Sequence, residues 1–497
     1  MRPPRLSSNG RLLFPPVICV RQSLILLWCG GVAGCSGSDK VGGFHSCPSP
    51  SSTRLVSGGL TGPSSQPPGC QKPVHSSTLP AAQVRSFGTH RVGEAIHFEV
   101  SPGTGTLSIV SQAVSAIDAI NYQGQVISNT VVPTLLTAPD GGVLYDDNVS
   151  PPNDPSGTLV FYGADSPSTG AFTLPNTTPM LTAVQEGGGF APGSWSFTVN
   201  DFALECITTA GCDGGTASSS YDVSVLTKPG PTPATVTIDV GFYLVGASGV
   251  TSASAPGDSH IKRMVQTLGT FFDNAGICLG TVTFWDVPGW AQTLYANGID
   301  LNRTGPCDNL SQMSTLARDE NTLNFFLVGS ITATVEGGTV VGIDGTIPGP
   351  SSIGGTIHSG AAVSAADLSF GNCSGSLNLA ACGADVVGYV AAHEGGHWLG
   401  LYHTSESDGE SFDPIADTPT CVCDTCVIPS RRANCATPGR PPPPNPTMVG
   451  ASDCSQGTAT CGGADNLMFW RLEASNRSQG HLTAQQGQVM RANPVAQ

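Results

Sequence analysis

Short runs of alternating apolar and polar residues, broken by glycine and proline, characterise the chain from about residue 91 to residue 228. The clearest of these runs are "AIHFEV" (95–100), "GTLSIVSQAV" (105–114), "GTLVFYGA" (157–164) and "GSWSFTVNDFAL" (193–204). A period of two is typical of half-buried strands, and many short strands between turns favour an antiparallel sandwich or jelly roll. The pattern therefore predicts an all-β accessory domain over 91–228. Its role is open between binding of a carbohydrate or a surface and simple spacing.

The pattern changes after the proline-rich linker "TKPGPTPAT" (227–235). Strand-like runs now alternate with runs of helical periodicity: strands at 235–246, 280–287 and 322–331, and helices at 258–276 and 384–400. This order predicts an α+β domain over 233–497, built on a mixed, twisted sheet with helices packed against it. Two apolar pieces surround a turn at 338–364, and one of them is interpreted as an exposed edge strand.

The segment 36–90 is rich in Ser, Pro, Gly and Thr and has almost no apolar periodicity. Such a segment cannot bury enough apolar surface to offset its chain entropy, which predicts a disordered tether. Before it, "RQSLILLWCGGVAGC" (21–35) combines an arginine, a short apolar run and small residues. The run is too short for a stable membrane-spanning helix and is typical of an export signal. Residues 1–35 are therefore interpreted as a signal peptide.

The end of that signal, "VAGC" (32–35), resembles the lipobox of bacterial lipoproteins, in which the cysteine is acylated and becomes the mature N-terminus. The alternative is ordinary signal cleavage, with Cys35 left as a disulfide partner. Removing Cys19 and Cys29 with the signal leaves 15 of the 17 cysteines, and committing Cys35 to lipid leaves 14, which can all pair. We therefore expect an exported protein, either held at the cell envelope or outer membrane through this lipid alone or secreted.

Charge narrows the range of partners. Charged residues make up only 11% of the chain, and the formal net charge is -16. Binding of nucleic-acid phosphates needs clustered Lys and Arg, and the sequence shows no such cluster. The composition therefore argues against a nucleic-acid partner.

Cysteine usage favours an oxidising compartment, because 17 cysteines exceed what a reduced cytosolic protein of this composition needs. We interpret most of them as disulfides. They fall in a dense group from Cys421 to Cys461 and in the spaced pairs Cys206/Cys212, Cys278/Cys307 and Cys373/Cys382. The run Cys421–Cys426, which has three cysteines, could instead hold a second zinc ion.

One segment concentrates the candidate chemistry. "AAHEGGHWLGLYHTSE" (391–406) contains three of the ten histidines and two glutamates. On the predicted helix His393 and His397 are four residues apart and project from the same face, so two neutral imidazoles can bind one Zn²⁺ ion. Glu394 lies beside the first of these ligands, where its carboxylate can reach a zinc-bound water rather than the metal.

The residues that follow complete a three-ligand site. Gly400 allows the backbone to leave the helix with a positive φ, so that His403 can return as the third ligand. Three protein ligands leave one coordination position open, as in catalytic rather than structural zinc sites. The eleven residues 393–403 match HExxHxxGxxH in full and resemble the metzincin metalloproteases.

The resemblance extends to two further segments. Metzincins have a methionine-containing turn beneath the zinc site, and "ADNLMFW" (464–470) fits with Met468, although a core methionine is the alternative. "GGHWLGLYHT" followed by "DPIADTP" (413–419) resembles the pappalysin-type (cytophagalysin) metzincins. This implies a two-part catalytic domain with the zinc helix at the floor of a substrate cleft. The family commonly has a tyrosine two residues after the methionine, where this chain has Trp470, which offers only an indole N–H.

Four acidic residues follow the histidines closely: Asp408, Glu410, Asp413 and Asp417. Related proteases bind calcium in this neighbourhood, and hard oxygen ligands suit Ca²⁺. The alternative is a solvated acidic loop.

Together these residues predict a zinc-dependent endopeptidase that acts on extracellular proteins or peptides. Glu394 would take a proton from the zinc-activated water and pass it to the leaving amine, while an extended substrate pairs with the edge strand within 338–364. The alternative is a cell-surface adhesion or binding lipoprotein with a structural or vestigial metal site. A purely structural site has no need of the Glu394 carboxylate, which favours the enzyme.

Overall fold

The computed structural model describes two sheet-containing regions of the chain. The residues described are 54–59, 74–75, 78–79, 81–114, 118–120, 126–146, 169–203, 220–247, 249–301, 309–317, 319, 321–333, 339–356, 358–437, 443, 445–473 and 479–497. The proposed signal and lipobox at 1–35, the predicted strand at 157–164, and Cys206, Cys212 and Cys307 lie outside them.

The first region is built from two antiparallel sheets and one helix, α1 (Thr178–Gly187). In spatial order, the first sheet contains β10 (Thr169–Leu174), β6 (Thr104–Ala113), β12 (Ser220–Pro229), β4 (Ala82–Arg91) and β3 (Thr78–Leu79). The second contains β5 (Ala95–Val100), β11 (Gly193–Ala203), β8 (Val126–Thr137) and β7 (Asp118–Ile120), with β9 (Val143–Asp146) paired to β8. Both sheets contribute to one hydrophobic core, in which Phe98, Ile109 and Trp195 are buried. The antiparallel strands agree with the alternating pattern of the sequence, whereas helix α1 was not predicted.

The second region is a mixed sheet covered by helices, as the alternation of strands and helices predicts. Its six strands lie in the order β1 (Arg54–Gly59), β14 (Ile277–Asp286), β13 (Val236–Leu244), β16 (Leu323–Val328), β20 (Ala361–Ser364) and β18 (Gly342–Ile343). All neighbours pair in parallel except β18, which is antiparallel to β20. The long helices are α2 (Ser259–Asn274), α5 (Gly383–Trp398) and α8 (Ala484–Ala492).

Shorter elements complete the second region. Two pairs of short strands are β15 (Ile299–Asp300) with β17 (Ile331–Thr332), and β2 (Val74–His75) with β19 (Ile353–Gly354). The short helices are α3 (Gly289–Tyr295), α4 (Asn309–Ser314), α6 (Cys423–Cys426) and α7 (Pro429–Arg432). No helix of the described residues is long and apolar enough to cross a membrane.

Strands within 36–90 correct the expectation of a continuous disordered tether. β1 pairs in parallel with β14 along the edge of the mixed sheet, β2 pairs with β19, and β4 begins at residue 82. An open sheet edge offers backbone N–H and C=O groups to any extended segment. Pairing of this kind needs no apolar periodicity, so the sequence pattern did not reveal it.

The predicted edge strand exists, but it is not exposed. β18 is the last strand of the mixed sheet, and both its residues, Gly342 and Ile343, are buried. Helix α5 packs against β18, and the residues that follow it, 346–356, are also buried. The composition of the 338–364 segment indicated an edge strand. It did not reveal that helix α5 and residues 346–356 cover this strand, because that depends on long-range packing.

An ion pair fixes helix α5 against helix α2. Asp385, in the first turn of α5, accepts hydrogen bonds from Arg263 Nε at 2.5 Å and Nη2 at 2.9 Å, and from Thr267 Oγ1 at 2.6 Å. The Asp385 side chain is buried and Arg263 and Thr267 belong to α2, so this bidentate contact sets the position of α5 against its neighbour.

Disulfides account for the dense cysteine group. Six of its cysteines form the pairs Cys421–Cys454, Cys423–Cys435 and Cys426–Cys461. The interpretation of Cys421–Cys426 as part of a second zinc site is therefore wrong, because its thiols are bonded to other cysteines. The spaced pair Cys373/Cys382 is also a disulfide, as its spacing suggested.

Candidate metal centre

Helix α5 and the turn after it bring three histidines together. His393 and His397 lie one helical turn apart on α5 and are buried. The helix ends at Trp398, and Gly400 has a φ of 108°, a left-handed conformation that favours glycine. The backbone therefore turns sharply, and His403 returns to face the other two rings, as the sequence predicts.

The three imidazoles meet through their Nε2 atoms. His393 Nε2 lies 3.0 Å from His397 Nε2 and 3.3 Å from His403 Nε2. The ring centroids are 4.6–5.3 Å apart, and the most exposed of the three rings, that of His403, is 3% accessible. Among the described residues, these histidines are the one group of three or more His, Cys, Asp or Glu whose ligand atoms converge for a metal.

Hydrogen bonds at the opposite ring nitrogens determine the tautomers. His393 Nδ1 lies 2.7 Å from the carbonyl oxygen of Leu467, and His397 Nδ1 lies 2.7 Å from that of Leu401. His403 Nδ1 lies 3.1 Å from both carboxylate oxygens of Glu406. Carbonyl and carboxylate oxygens only accept, so each Nδ1 donates and each Nε2 carries a lone pair directed at the other two.

Three converging lone pairs repel one another unless a cation lies between them. Burial lowers the pKa of His393 to about 3 and places that of His397 well below its usual range, so both rings are neutral near pH 7. Neutral imidazoles with fixed tautomers are the form that binds a transition-metal ion. The donor set therefore fits a divalent cation held by His393, His397 and His403.

Glu394 follows the first histidine and is fully buried. Neither of its carboxylate oxygens has a hydrogen-bond partner among the described residues. Burial, and secondarily the charge of Asp344, raise the pKa of Glu394 well above its usual range. A buried carboxylate without a side-chain partner is costly and suits a group that exchanges protons with a bound ligand. Asp344, at the end of β18, was not singled out in the sequence.

The segment 464–470 packs against helix α5 and contacts His393. The Met468 sulfur packs so closely against α5 that a Cβ atom on Gly396 would lie 2.6 Å from it. The carbonyl oxygen of Leu467 accepts from His393 Nδ1 and from Tyr389 Oη at 3.1 Å, and Thr404 N donates to the Met468 carbonyl oxygen. Met468 therefore packs against helix α5 at Gly396, the residue before His397.

We expect Met468→Leu to preserve the fold, because it keeps a similar volume, with a stability loss below about 1.5 kcal/mol. Met468→Ala should leave a cavity under the imidazoles and lower the free energy of unfolding by about 2–5 kcal/mol. Denaturant unfolding of the two variants measures the difference. Equal stability of Met468→Ala and the wild type would show that Met468 does not support the ligand helix.

Trp470 does not face the histidines. Its indole Nε1 donates a hydrogen bond to the Val449 carbonyl oxygen at 3.0 Å, and its ring is buried among the disulfide-bonded residues 421–461. The indole N–H is therefore already used, so Trp470 does not take the part of the tyrosine that the resemblance suggested for this position.

The acidic residues proposed for calcium do not converge. Asp408 accepts a hydrogen bond from the backbone N–H of Glu410, and Asp413 is buried, which raises its pKa to about 8. Asp417 accepts from the Thr483 hydroxyl at 2.7 Å at the start of helix α8. Among the described residues no three of these carboxylates form a metal-binding group. Asp417 thus has a structural contact, and the calcium site gains no support.

Glu406 is a functional candidate that the sequence reasoning missed. It lies three residues after His403, and its two carboxylate oxygens accept from that ring's Nδ1, so it fixes the tautomer of His403. An acidic residue three positions beyond the last histidine was the available signal, but only the structure shows which atom it contacts.

We expect Glu406→Gln to weaken metal binding by about 10–100-fold, because a neutral amide polarises the His403 ring less than a carboxylate does. Titration of the metal-free protein with Zn²⁺ measures the change. The matched control is Glu410→Gln in the same loop, which should bind metal like the wild type. Equal affinity of both variants would remove Glu406 from the site.

Comparisons with known proteins add little. No family model and no curated protein matches the chain. Among solved structures, the chain is similar to metalloproteinase-II from Bacteroides fragilis, with 13% sequence identity and a TM-score of 0.19. The match covers 39% of this chain and 59% of that chain. The chain thus spans less than two thirds of this neighbour, and a TM-score so low carries no argument about function.

Proposed function

We propose that the protein is a zinc-dependent endopeptidase that hydrolyses peptide bonds of extracellular proteins. The observation that carries the proposal is the set of three buried imidazoles whose Nε2 lone pairs converge beside the unpartnered carboxylate of Glu394. A structural site would be complete with its ligands alone. A buried acid next to the ligands, without a side-chain partner among the described residues, supports a site that transfers protons.

Zn²⁺ bound by the three histidines would polarise the scissile carbonyl group and lower the pKa of a water molecule toward about 7. Glu394 then accepts a proton from the attacking water at its carboxylate and returns it to the nitrogen of the leaving amine. The carboxyl group must be ionised when the water attacks and must hold the proton until the amine leaves, so its raised pKa favours the second of these steps.

The surrounding residues keep the ligands in place. The Leu467 and Leu401 carbonyl oxygens and the Glu406 carboxylate hold the rings in one tautomer. Burial of all three rings lowers the local dielectric constant and strengthens each charge interaction. Pairing of an extended substrate with β18 is not part of the proposal, because both residues of that strand are buried.

We also propose a pappalysin-like metzincin domain over 233–497, a β-sandwich accessory domain over 91–228, and an exported protein with an acylated Cys35. The HExxHxxGxxH spacing and the packing of Met468 under α5 support the first. Two antiparallel sheets around a shared core support the second. The disulfides in the 421–461 segment fit an oxidising compartment.

Casein hydrolysis by the purified protein tests the function. We expect hydrolysis that stops when a chelator removes the metal and returns when Zn²⁺ is added back. Absence of hydrolysis by the zinc-loaded protein, or hydrolysis that survives removal of the metal, would contradict the proposal. The first of these outcomes would favour the alternative of a binding protein with a structural metal site.

A further inference from the structure

The edge strand β18 touches the carboxylate of Glu394 through a residue without a side chain. A Cβ atom built on Gly342 would lie closer than 3.0 Å to Glu394 Oε1, 2.9 Å from its Cδ and 2.5 Å from Val390 Cγ1. Real Cβ atoms essentially never make contacts shorter than 3.0 Å. Gly342 does not have a positive φ, so its backbone conformation gives no reason for glycine. The reason lies in the space that Glu394 occupies.

Both walls of this space are held firmly. Gly342 is paired with Val363 of strand β20, and the backbone N–H of Ser364 donates to the Val341 carbonyl oxygen at 2.8 Å. On the other side, Gly395 of α5 is so close to Phe325 that a Cβ there would lie 3.1 Å from the ring. Neither the strand nor the helix can retreat without losing these contacts, so a side chain at 342 must displace Glu394 or Val390.

We propose that Gly342 is a positioning residue for Glu394. Its missing side chain leaves the slot in which the carboxylate stands, and the edge strand thereby determines where the general base points. The inference rests on the proposed function for its catalytic meaning. The slot itself is a property of the packing between β18 and α5.

Gly342→Ala should lower kcat for peptide hydrolysis by about 100-fold, because misplacing a catalytic group by about 1 Å has an effect of that order. KM and zinc content should stay near the wild-type values, since the atoms nearest to a Cβ on Gly342 belong to Glu394 and Val390 and not to the three histidines. A kcat within about twofold of the wild type would overturn the proposal.

Gly280→Ala is the matched control. A Cβ on Gly280 would also lie closer than 3.0 Å to a carboxylate oxygen, that of Asp239, but β14 is four strand positions from β18 in the same sheet. This variant should lose stability while keeping kcat. If it lowers kcat as much as Gly342→Ala does, general strain in the sheet explains both effects, and the proposal fails.

A second variant separates the two contacts of the added methyl group. Val390→Ala removes the Cγ1 atom that the new Cβ would meet but leaves Glu394 in place. In this background Gly342→Ala should still lower kcat by a similar factor. If Val390→Ala restores kcat, the loss comes from crowding of Val390, and Gly342 does not position the base.

Thermal unfolding tests the slot without any activity measurement. Gly342→Ala should lower the melting temperature less in a Glu394→Ala background, because the carboxylate that it collides with is then missing. An equal decrease in both backgrounds would overturn the proposal that Gly342 leaves space for the Glu394 carboxylate. If the wild type proves inactive, the proposed function fails, whereas this coupling would still show whether Gly342 accommodates Glu394.

Discussion

Replacement of Glu394 by Gln should lower kcat for peptide hydrolysis by about 10²–10⁴-fold, the usual contribution of a general base. The amide has nearly the shape of the carboxylate but cannot accept a proton from the attacking water. The hydrogen bonds that orient the three rings are made by their Nδ1 atoms and do not involve Glu394, so about one zinc ion per chain should remain bound.

The same variant should not be less stable than the wild type at pH 7. Burial raises the pKa of Glu394 in the folded protein above its pKa in the unfolded chain. The free energy of unfolding therefore decreases as the pH rises from the unfolded pKa toward the folded pKa. Gln carries no charge and removes that cost. Zinc retained with full activity would show that Glu394 is not the base, and zinc lost together with activity would make it a structural residue.

His403→Ala should weaken zinc binding by more than about 100-fold, which exceeds the effect expected for an outer partner such as Glu406. His403 is the one proposed ligand outside helix α5. Its removal leaves the metal with only two protein ligands, the imidazoles of His393 and His397. Most of the zinc should then be lost on dialysis, and hydrolysis with it.

His481→Ala is the control for this experiment, because the His481 side chain is exposed and lies outside the metal-binding group. It should retain zinc and activity. Zinc content of His403→Ala equal to that of His481→Ala would rule out His403 as the third ligand.

The cluster of three histidines was predictable because its geometry is local. His393 and His397 share a helix face through the four-residue spacing, and Gly400 marks the turn that brings back His403. These relations involve eleven consecutive residues, and the periodicity of a helix translates them directly into positions in space.

The features of the site that depend on contacts between distant residues were harder to predict from the sequence. Met468 is 65 residues beyond His403, and only the family resemblance placed it near the site. No local pattern links Gly342 or Asp344 with Glu394, because the packing of helix α5 against β18 and β20 brings them together. The strands in 54–91 were missed for the same reason, since edge pairing uses backbone groups that leave no mark in the sequence.

The central claim is that His393, His397 and His403 hold one catalytic zinc ion beside Glu394. Anomalous diffraction from crystals of the zinc-loaded protein, recorded on both sides of the zinc absorption edge, tests it most directly. We expect one strong anomalous peak per chain, between the three Nε2 atoms and next to the Glu394 carboxylate. A protein without a peak at that position, or with its zinc bound elsewhere, would contradict the account.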